Sequence, residues 1–510
     1  MAVIPHPKPL DLTGSVAATA LVCLSLTPSL LPRTWLVQGL VSGLCAVTGY
    51  AVGWVPGRLI RSRRPGWAWP AFAAVAVPVL SVAVYQGWRW QQEIGLLIGV
   101  PGPAAVSWPL LLPVAGLVFA LLVGAVRLVR HAAAALRRRE RRQRTAAAMM
   151  ALCTLGPAGV AAPSGTLDSL STTLDRRVTG VVAPVEATRS GSPVSLVPWA
   201  TLGREGRSFV TSGSSTPHGT PVIRVYAGLR SAPTTRDRAR LAVAELERTG
   251  AFDRAVLCLV IPTGTGWIDE PTVQALEDEY DGDTAVAVIQ YGALPSWLSL
   301  LAEPQRSADA AHDLLDEVHW AWSRRPAGSR PRLLLYGHSQ GALAAQSPFG
   351  TAGDLLGEVD GALISGPPNA SPLWAGLVAG RSRTSTEMAP ELPGQPGVRF
   401  ADEAADLNPA ADPAVRPRLV FLQHATDPVV WWSTDLILRR PDWLHESRPD
   451  AVLPSVRWIP FVTFWQVSGD LVKALDVPAG YGHGYGDEAR AAWRLITGAP
   501  AAESEVLRAR

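Results

Sequence analysis

Residues 12–32, 36–57, 69–88 and 109–129 form four apolar runs almost free of charge. Each is about 20 residues long, the length at which an α-helix crosses the hydrocarbon core of a bilayer. Four such runs in succession predict an all-helical transmembrane region, because a helix is the one open structure that satisfies its own backbone in lipid. A weaker fifth run, 145–162, is alanine-rich and broken by Gly156 and Pro157; it reads as a spanning or an interfacial helix. A secretory signal competes for the first run, which follows Lys8. That run is longer than a signal core, no small-residue cleavage site follows it, and more spans come behind, so an uncleaved span is expected.

Arginine placement sets the expected orientation. Arg58, Arg61, Arg63 and Arg64 follow the second run, and Arg127, Arg130, Arg137, Arg138, Arg139, Arg141, Arg142 and Arg144 end or follow the fourth, whereas the first and third are followed by little more than Arg33 and Arg89. The positive-inside rule then puts the N-terminus in the cytoplasm. If the fifth run spans, the remaining chain lies outside the cytoplasm, and a multi-pass membrane protein with an extracytoplasmic catalytic part is the expectation; if it does not, the catalytic part is cytoplasmic. The domain reading is 1–165 transmembrane, 166–205 a linker rich in Ser, Thr, Pro and Gly, and 206–510 a catalytic domain. A net charge of +3 over 510 residues gives no electrostatic reason for a nucleic-acid partner. Cys258 stands apart from the apolar runs that hold Cys23, Cys45 and Cys153, and reads as a small buried hydrophobe.

Beyond residue 206 the pattern alternates. Strand-like runs at 222–226, 255–261, 284–290, 333–336, 361–364 and 419–423 take turns with helix-like stretches at 235–248, 270–279, 307–322 and 339–346. Such alternation predicts a mostly parallel sheet with helices on both faces, with ligands beyond the carboxyl ends of the strands.

One of those strands runs into Gly337-His338-Ser339-Gln340-Gly341. An apolar strand, a tight turn with serine at its apex and a small-residue helix make the shape of a nucleophile elbow. A serine hydroxyl is a weak nucleophile until a base takes its proton, so the elbow predicts a carboxylate and then a histidine further along. Asp427 follows a strand-like run within a few residues, and His483 lies in the glycine-flanked loop Gly480-Tyr481-Gly482-His483-Gly484. Asp402, Asp406 and Asp412 lack a leading strand; His424 would end a strand, and His445 sits in a charged loop. His338 reads as packed.

Acyl transfer also needs backbone donors for the developing oxyanion. Gln340, the residue after the nucleophile, supplies one; Thr263 or Gly264 in Pro262-Thr263-Gly264-Thr265-Gly266-Trp267 supplies the other. That loop lacks the lysine and hydroxyl residue of a phosphate-binding loop. The acidic run Glu277-Asp278-Glu279, with Asp281 and Asp283, has no metal-ligand spacing and reads as a solvated helix end. No metal or cofactor is expected. Residues 365–416 read as a loop-like cap, and Trp431, Trp432, Trp443, Trp458, Phe461, Phe464 and Trp465, between acid and base, as core filling, an acyl pocket or a membrane contact.

With these residues in view, the chain resembles the actinobacterial α/β-hydrolase family that carries an N-terminal multi-span membrane region. The resemblance rests on the stretch from Ser25 to Arg33, Pro262 to Trp267, Gln290-Tyr291 with Leu294 to Ser299, Gly337 to Gly341, Arg440 to Leu444 and Arg457 to Pro460. It implies an α/β-hydrolase fold with Ser339 as nucleophile, preceded by an all-α membrane domain of four to five helices. The activity expected is that of a membrane-anchored serine hydrolase cleaving an ester of a lipid or other apolar acyl compound, with Ser339, His483 and Asp427 as its triad. An acyltransferase of envelope lipids and an inactive membrane scaffold on the same fold are the alternatives. The expected partners are the lipid bilayer and the ester substrate; the sequence carries no sign of oligomeric state.

Overall fold

The computed structural model describes residues 10–59, 66–139, 180–213, 219–295, 299, 304–408 and 416–498. Its helices longer than one turn are α1 (Leu12–Ser25), α2 (Trp35–Leu59), α3 (Ala68–Ile98), α4 (Leu111–Arg139), α5 (Gly203–Thr211), α6 (Thr235–Thr249), α7 (Glu270–Glu279), α8 (Pro304–Ser323), α9 (Gln340–Gln346), α10 (Ala352–Glu358), α11 (Pro372–Ala379), α12 (Val462–Asp470) and α13 (Gly486–Thr497). The strands are β1 (Ile223–Ala227), β2 (Val256–Ile261), β3 (Thr284–Ile289), β4 (Arg332–His338), β5 (Gly361–Ser365), β6 (Val398–Ala401) and β7 (Leu419–Leu422). Two compact units result, one drawn from Met1–Gly159 and Trp431–Gly482, the other from Val160–Val430 and His483–Arg510.

Among the described residues of the first unit three helical stretches, Trp35–Val55, Ala68–Ile98 and Trp108–Ala133, are long and apolar enough to cross a membrane. The first apolar run is shorter in the structure than in the sequence reading. Residues 12–32 give only the 14-residue α1, about 21 Å at 1.5 Å per residue, against a hydrocarbon core of roughly 30 Å. The chain turns through Thr27 to Pro32, where Pro28 and Pro32 lack the amide that a continuing helix needs. The fifth run, 145–162, lies outside the described residues.

Glycines let these helices approach. A Cβ on Gly39 or Gly43 of α2 would come within 2.7 or 2.6 Å of Val114 or Val118 on α4; on Gly49 or Gly53 it would come within 2.6 Å of the Ala17 or Thr13 carbonyl on α1. Two Gly-x-x-x-Gly pairs on one helix thus seat a neighbour each, by close packing that needs no hydrophobic drive.

Residues 431–482, counted within 206–510 from sequence, pack in this same unit. Along α12, Val462 shares a buried cluster with Val41 and Cys45 of α2, and Trp465 Nε1 donates to Thr48 Oγ1 at 3.2 Å. At the end of α12, Asp470 accepts from Arg33 Nε at 2.7 Å, from the Leu30 amide at 3.1 Å and from Ser29 Oγ. Arg33 Nη1 donates to Gln38 Oε1 at 2.8 Å, its amide donates to Gln91 Oε1 at 2.6 Å, and Gln466 Nε2 donates to the Thr27 carbonyl at 2.8 Å. Trp431 and Trp443 are buried with ring centres 5.8 Å apart, while Trp432, Phe464 and Trp465 form a half-buried chain of ring contacts.

The second unit is built on a seven-stranded sheet in the order β1-β3-β2-β4-β5-β7-β6, parallel throughout. Its inner strands are near-continuous apolar runs buried along their length, as strands covered on both faces must be. β4 lies centrally, between β2 and β5, and delivers its carboxyl end to the site. The loop-like reading of 365–416 needs correction, because it holds α11 and the edge strand β6; β6 is four residues long, too short to show a period in sequence. The solvated reading of Glu277 fails as well: Glu277 is fully buried and takes Arg224 Nε at 2.7 Å and Nη2 at 2.8 Å.

Removing one partner of a buried ion pair strands the other charge. Asp470→Ala is expected to cost about 3–5 kcal/mol, read as a lowered melting temperature of the detergent-solubilised full chain, whereas a substitution at the exposed Asp435 leaves it unchanged.

Candidate active site

The turn after β4 is built by steric exclusion. Ser339 sits at φ 56° and ψ −123°, a positive φ that side-chain-bearing residues rarely adopt. A Cβ on Gly337 would meet the Gly341 carbonyl at 2.5 Å, and one on Gly341 would meet the Ile261 carbonyl at 2.1 Å. Glycine is therefore required on both sides of the serine, which is what the strained strand-to-helix turn demands. The Ser339 amide donates to the Ser365 carbonyl at 3.0 Å, and Gln340 opens α9, where the first amides have no partner within the helix.

Asp427 and His483 meet. His483 Nδ1 and Asp427 Oδ2 are 2.7 Å apart, and both side chains are buried. An ionised carboxylate only accepts, so the Nδ1 proton points at Asp427 and Nε2 carries the lone pair. Nε2 is buried with no hydrogen bond to a described residue. Asp427 Oδ1 accepts from the Val429 amide at 2.8 Å. Space for the imidazole comes from Gly366 after β5, where a Cβ would stand 2.5 Å from His483 Cε1.

His338, next to the serine, faces the base: its ring centre is 4.4 Å from that of His483 and 5.5 Å from that of Trp267. Burial, with His483 beside it, holds His338 well below the ordinary 6.5. Three further groups escaped the sequence reading. The Tyr485 hydroxyl donates to Asp427 Oδ2 at 2.6 Å, and burial and then Asp427 raise that phenol well above its ordinary value. Asp269, raised by burial, accepts from Thr272 Oγ1 at 2.6 Å and from Tyr336 OH at 3.0 Å. Gly366 is the third. Only Tyr485 left a trace in sequence, as the second tyrosine of Gly480-Tyr481-Gly482-His483-Gly484-Tyr485-Gly486.

The glycine loop after β2 meets the elbow. A Cβ on Gly264 would lie 3.0 Å from Gln340 Oε1 and 2.5 Å from the Leu294 carbonyl, and Gln340 Nε2 donates to Ser299 Oγ at 3.1 Å. The Thr263 amide is committed to the Trp267 carbonyl at 3.0 Å, which leaves Gly264 as the better placed of the two expected donors.

The other candidates lie elsewhere. His424 is buried and stacked on Tyr485 with ring centres 4.2 Å apart, its Nε2 3.4 Å from Glu488. His445 is exposed and belongs to the other unit. Asp402 accepts from the Ala425 amide at 2.8 Å and is pushed up by burial to about 6; Asp406 accepts from the Asp402 amide, and Asp412 lies outside the described residues. Among the described residues no group of three metal-ligating side chains comes together. Burial pushes the Cys258 thiol up, away from nucleophilic use.

Residues 223–509 match a family described as "Alpha/beta-hydrolase family", and residues 26–214 match its companion, "Alpha/beta-hydrolase family N-terminus". No curated protein and no solved structure matches the chain.

A histidine held neutral in the fold and protonated when unfolded withdraws stability as pH falls, because below 6.5 the unfolded chain binds the extra proton. Asp402, raised in the fold, acts with the opposite sign and is common to both proteins compared. His338→Gln is therefore expected to lose less melting temperature than the unsubstituted protein between pH 7 and pH 5, measured by thermal unfolding.

Proposed function

Since the chain belongs to the alpha/beta-hydrolase family, we propose that it is a membrane-anchored serine hydrolase that cleaves an ester of a lipid or other apolar acyl compound. Ser339 Oγ attacks the acyl carbon while His483 Nε2 takes its proton, and Asp427 keeps the imidazole in the required tautomer and balances its charge. The Gln340 amide, with Gly264 across from it, donates to the oxyanion. His483 then passes its proton to the leaving alcohol, and water repeats the sequence to free the acid and restore Ser339.

The observation that carries this reading is the 2.7 Å contact of His483 Nδ1 with Asp427, with Nε2 unbonded to any described residue and with His338, the sequence neighbour of Ser339, packed on the His483 ring. An apolar substrate is favoured because the chain between acid and base, Trp431–Gly482, packs in the same unit as the apolar helices. The same packing favours an extracytoplasmic catalytic part. The arginines lie in the C-terminal parts of α2 and α4 or beyond them, whereas Asp470 packs on the turn between α1 and α2, at the opposite end of α2. With the arginines inside, that turn lies outside.

Ser339→Ala is expected to abolish fluorophosphonate labelling of the full-length protein and to lower p-nitrophenyl butyrate hydrolysis by about 10⁴-fold or more. Asp427→Asn should lower it by about 10³–10⁴-fold. Labelling that survives Ser339→Ala would sink the proposal, and labelling of intact cells by a membrane-impermeant probe tests the orientation.

A further inference from the structure

Resting on that serine-hydrolase reading, we propose that Tyr485 is a positioning residue that fixes the catalytic acid and, through it, sets how readily His483 takes a proton. The Tyr485 hydroxyl lies between two partners of fixed polarity. The His424 amide reaches it at 3.1 Å and can only donate, so the hydroxyl accepts there. Its single proton is left for Asp427 Oδ2 at 2.6 Å, the oxygen that also takes His483 Nδ1 at 2.7 Å. One carboxylate oxygen therefore receives two donors, and the phenol ties it to the backbone just beyond β7.

Core filling does not account for this. A phenylalanine would occupy the same volume on the His424 ring, yet this hydroxyl enters the coordination of the acid. Gly366 shows that the imidazole and the phenol are seated together: a Cβ there would meet His483 Cε1 at 2.5 Å and Tyr485 Cε2 at 2.9 Å. The titratable groups around the pair are Asp427, His424, Asp402, His338 and Asp269. Of these, Asp427 is hydrogen-bonded to both His483 and Tyr485.

The phenol draws part of the carboxylate's charge into its own bond. Without it, more of that charge bears on His483, the imidazolium is better stabilised, and the base is lost to protonation at a higher pH. Orientation of Asp427 is looser as well, which slows the chemical step and leaves substrate binding unchanged.

The test uses the full-length detergent-solubilised protein and p-nitrophenyl butyrate. Tyr485→Phe should lower kcat about tenfold with KM within about twofold, and should move the acidic limb of the kcat/KM profile to higher pH. Tyr485→3-fluorotyrosine, which keeps the volume and donates more strongly, should move that limb to lower pH, and it serves where the phenylalanine variant does not fold. In an Asp427→Asn background the effect of Tyr485→Phe should shrink below about twofold, since the partner it acts through is altered. A lowered melting temperature with an unmoved pH limb, or an effect equally large in both backgrounds, would overturn the role of Tyr485 and leave the triad standing. Activity surviving in Ser339→Ala would instead overturn the triad and this role together.

Discussion

The hydrogen bond between His483 and Asp427 joins residues 56 apart in sequence, and nearly all of the chain between them folds in the other unit. Asp427, the proposed acid, follows β7; His483, the proposed base, arrives only when the chain has left at Val430, packed α12 against α2, and returned at Gly482. The proposed site, assembled in this way, depends on an excursion that must close. The β-sheet alone fixes the serine, the glycine loop and the carboxylate, but the histidine is the first residue of a returning segment. Sequence-local cues end at its flanking glycines.

Two buried ion pairs hold segments that apolar contact alone would leave unspecified. Arg224 and Glu277 meet by two bonds, and the guanidinium also donates to the Phe209 carbonyl and to Ser212 Oγ, each at 2.8 Å. Arg33 and Asp470 meet by one, with Gln38, Leu30 and Ser29 adding polar contacts around them. Desolvating a charge is costly, and a pair offsets that cost only when further hydrogen bonds surround it. The Arg224 site meets the condition in full and the Arg33 site in part, since Arg33 Nη2 is buried with no hydrogen bond to a described residue; both pin pieces distant in sequence, β1 to α7 and a turn between apolar helices to α12.

Much of the parallel sheet was legible because its strands are the β-branched and leucine-rich runs that burial on both faces requires. The range of α7 read from sequence, 270–279, agrees with its range in the structure, and Asp427 could be chosen because β7 leads into it. What escaped has physical causes. β6 is a four-residue edge strand containing Arg399, with too few residues to alternate. Glu277 looked solvated because its neighbours are acidic, while its partner, Arg224, lies 53 residues away. Pro28 and Pro32 were visible, yet hydropathy carried the first run past them. Tyr485 looked like a loop aromatic; only three-dimensional proximity shows its hydroxyl at the carboxylate. Packing of residues 431–482 with the N-terminal helices left no local mark, since it depends on contacts between residues some 400 apart, such as Trp465 and Thr48.

The shortness of α1 bears on the bilayer itself. For the proposed anchor, a helix of about 21 Å is shorter than a hydrocarbon core of roughly 30 Å, so the turn with the buried Arg33 pair would stand at membrane depth. Lipid around it thins or water dips inward, at a cost of fractions of a kcal/mol per Å of mismatch. For the proposed anchor, a preference for thin or deformable membrane would follow from where two prolines end one helix.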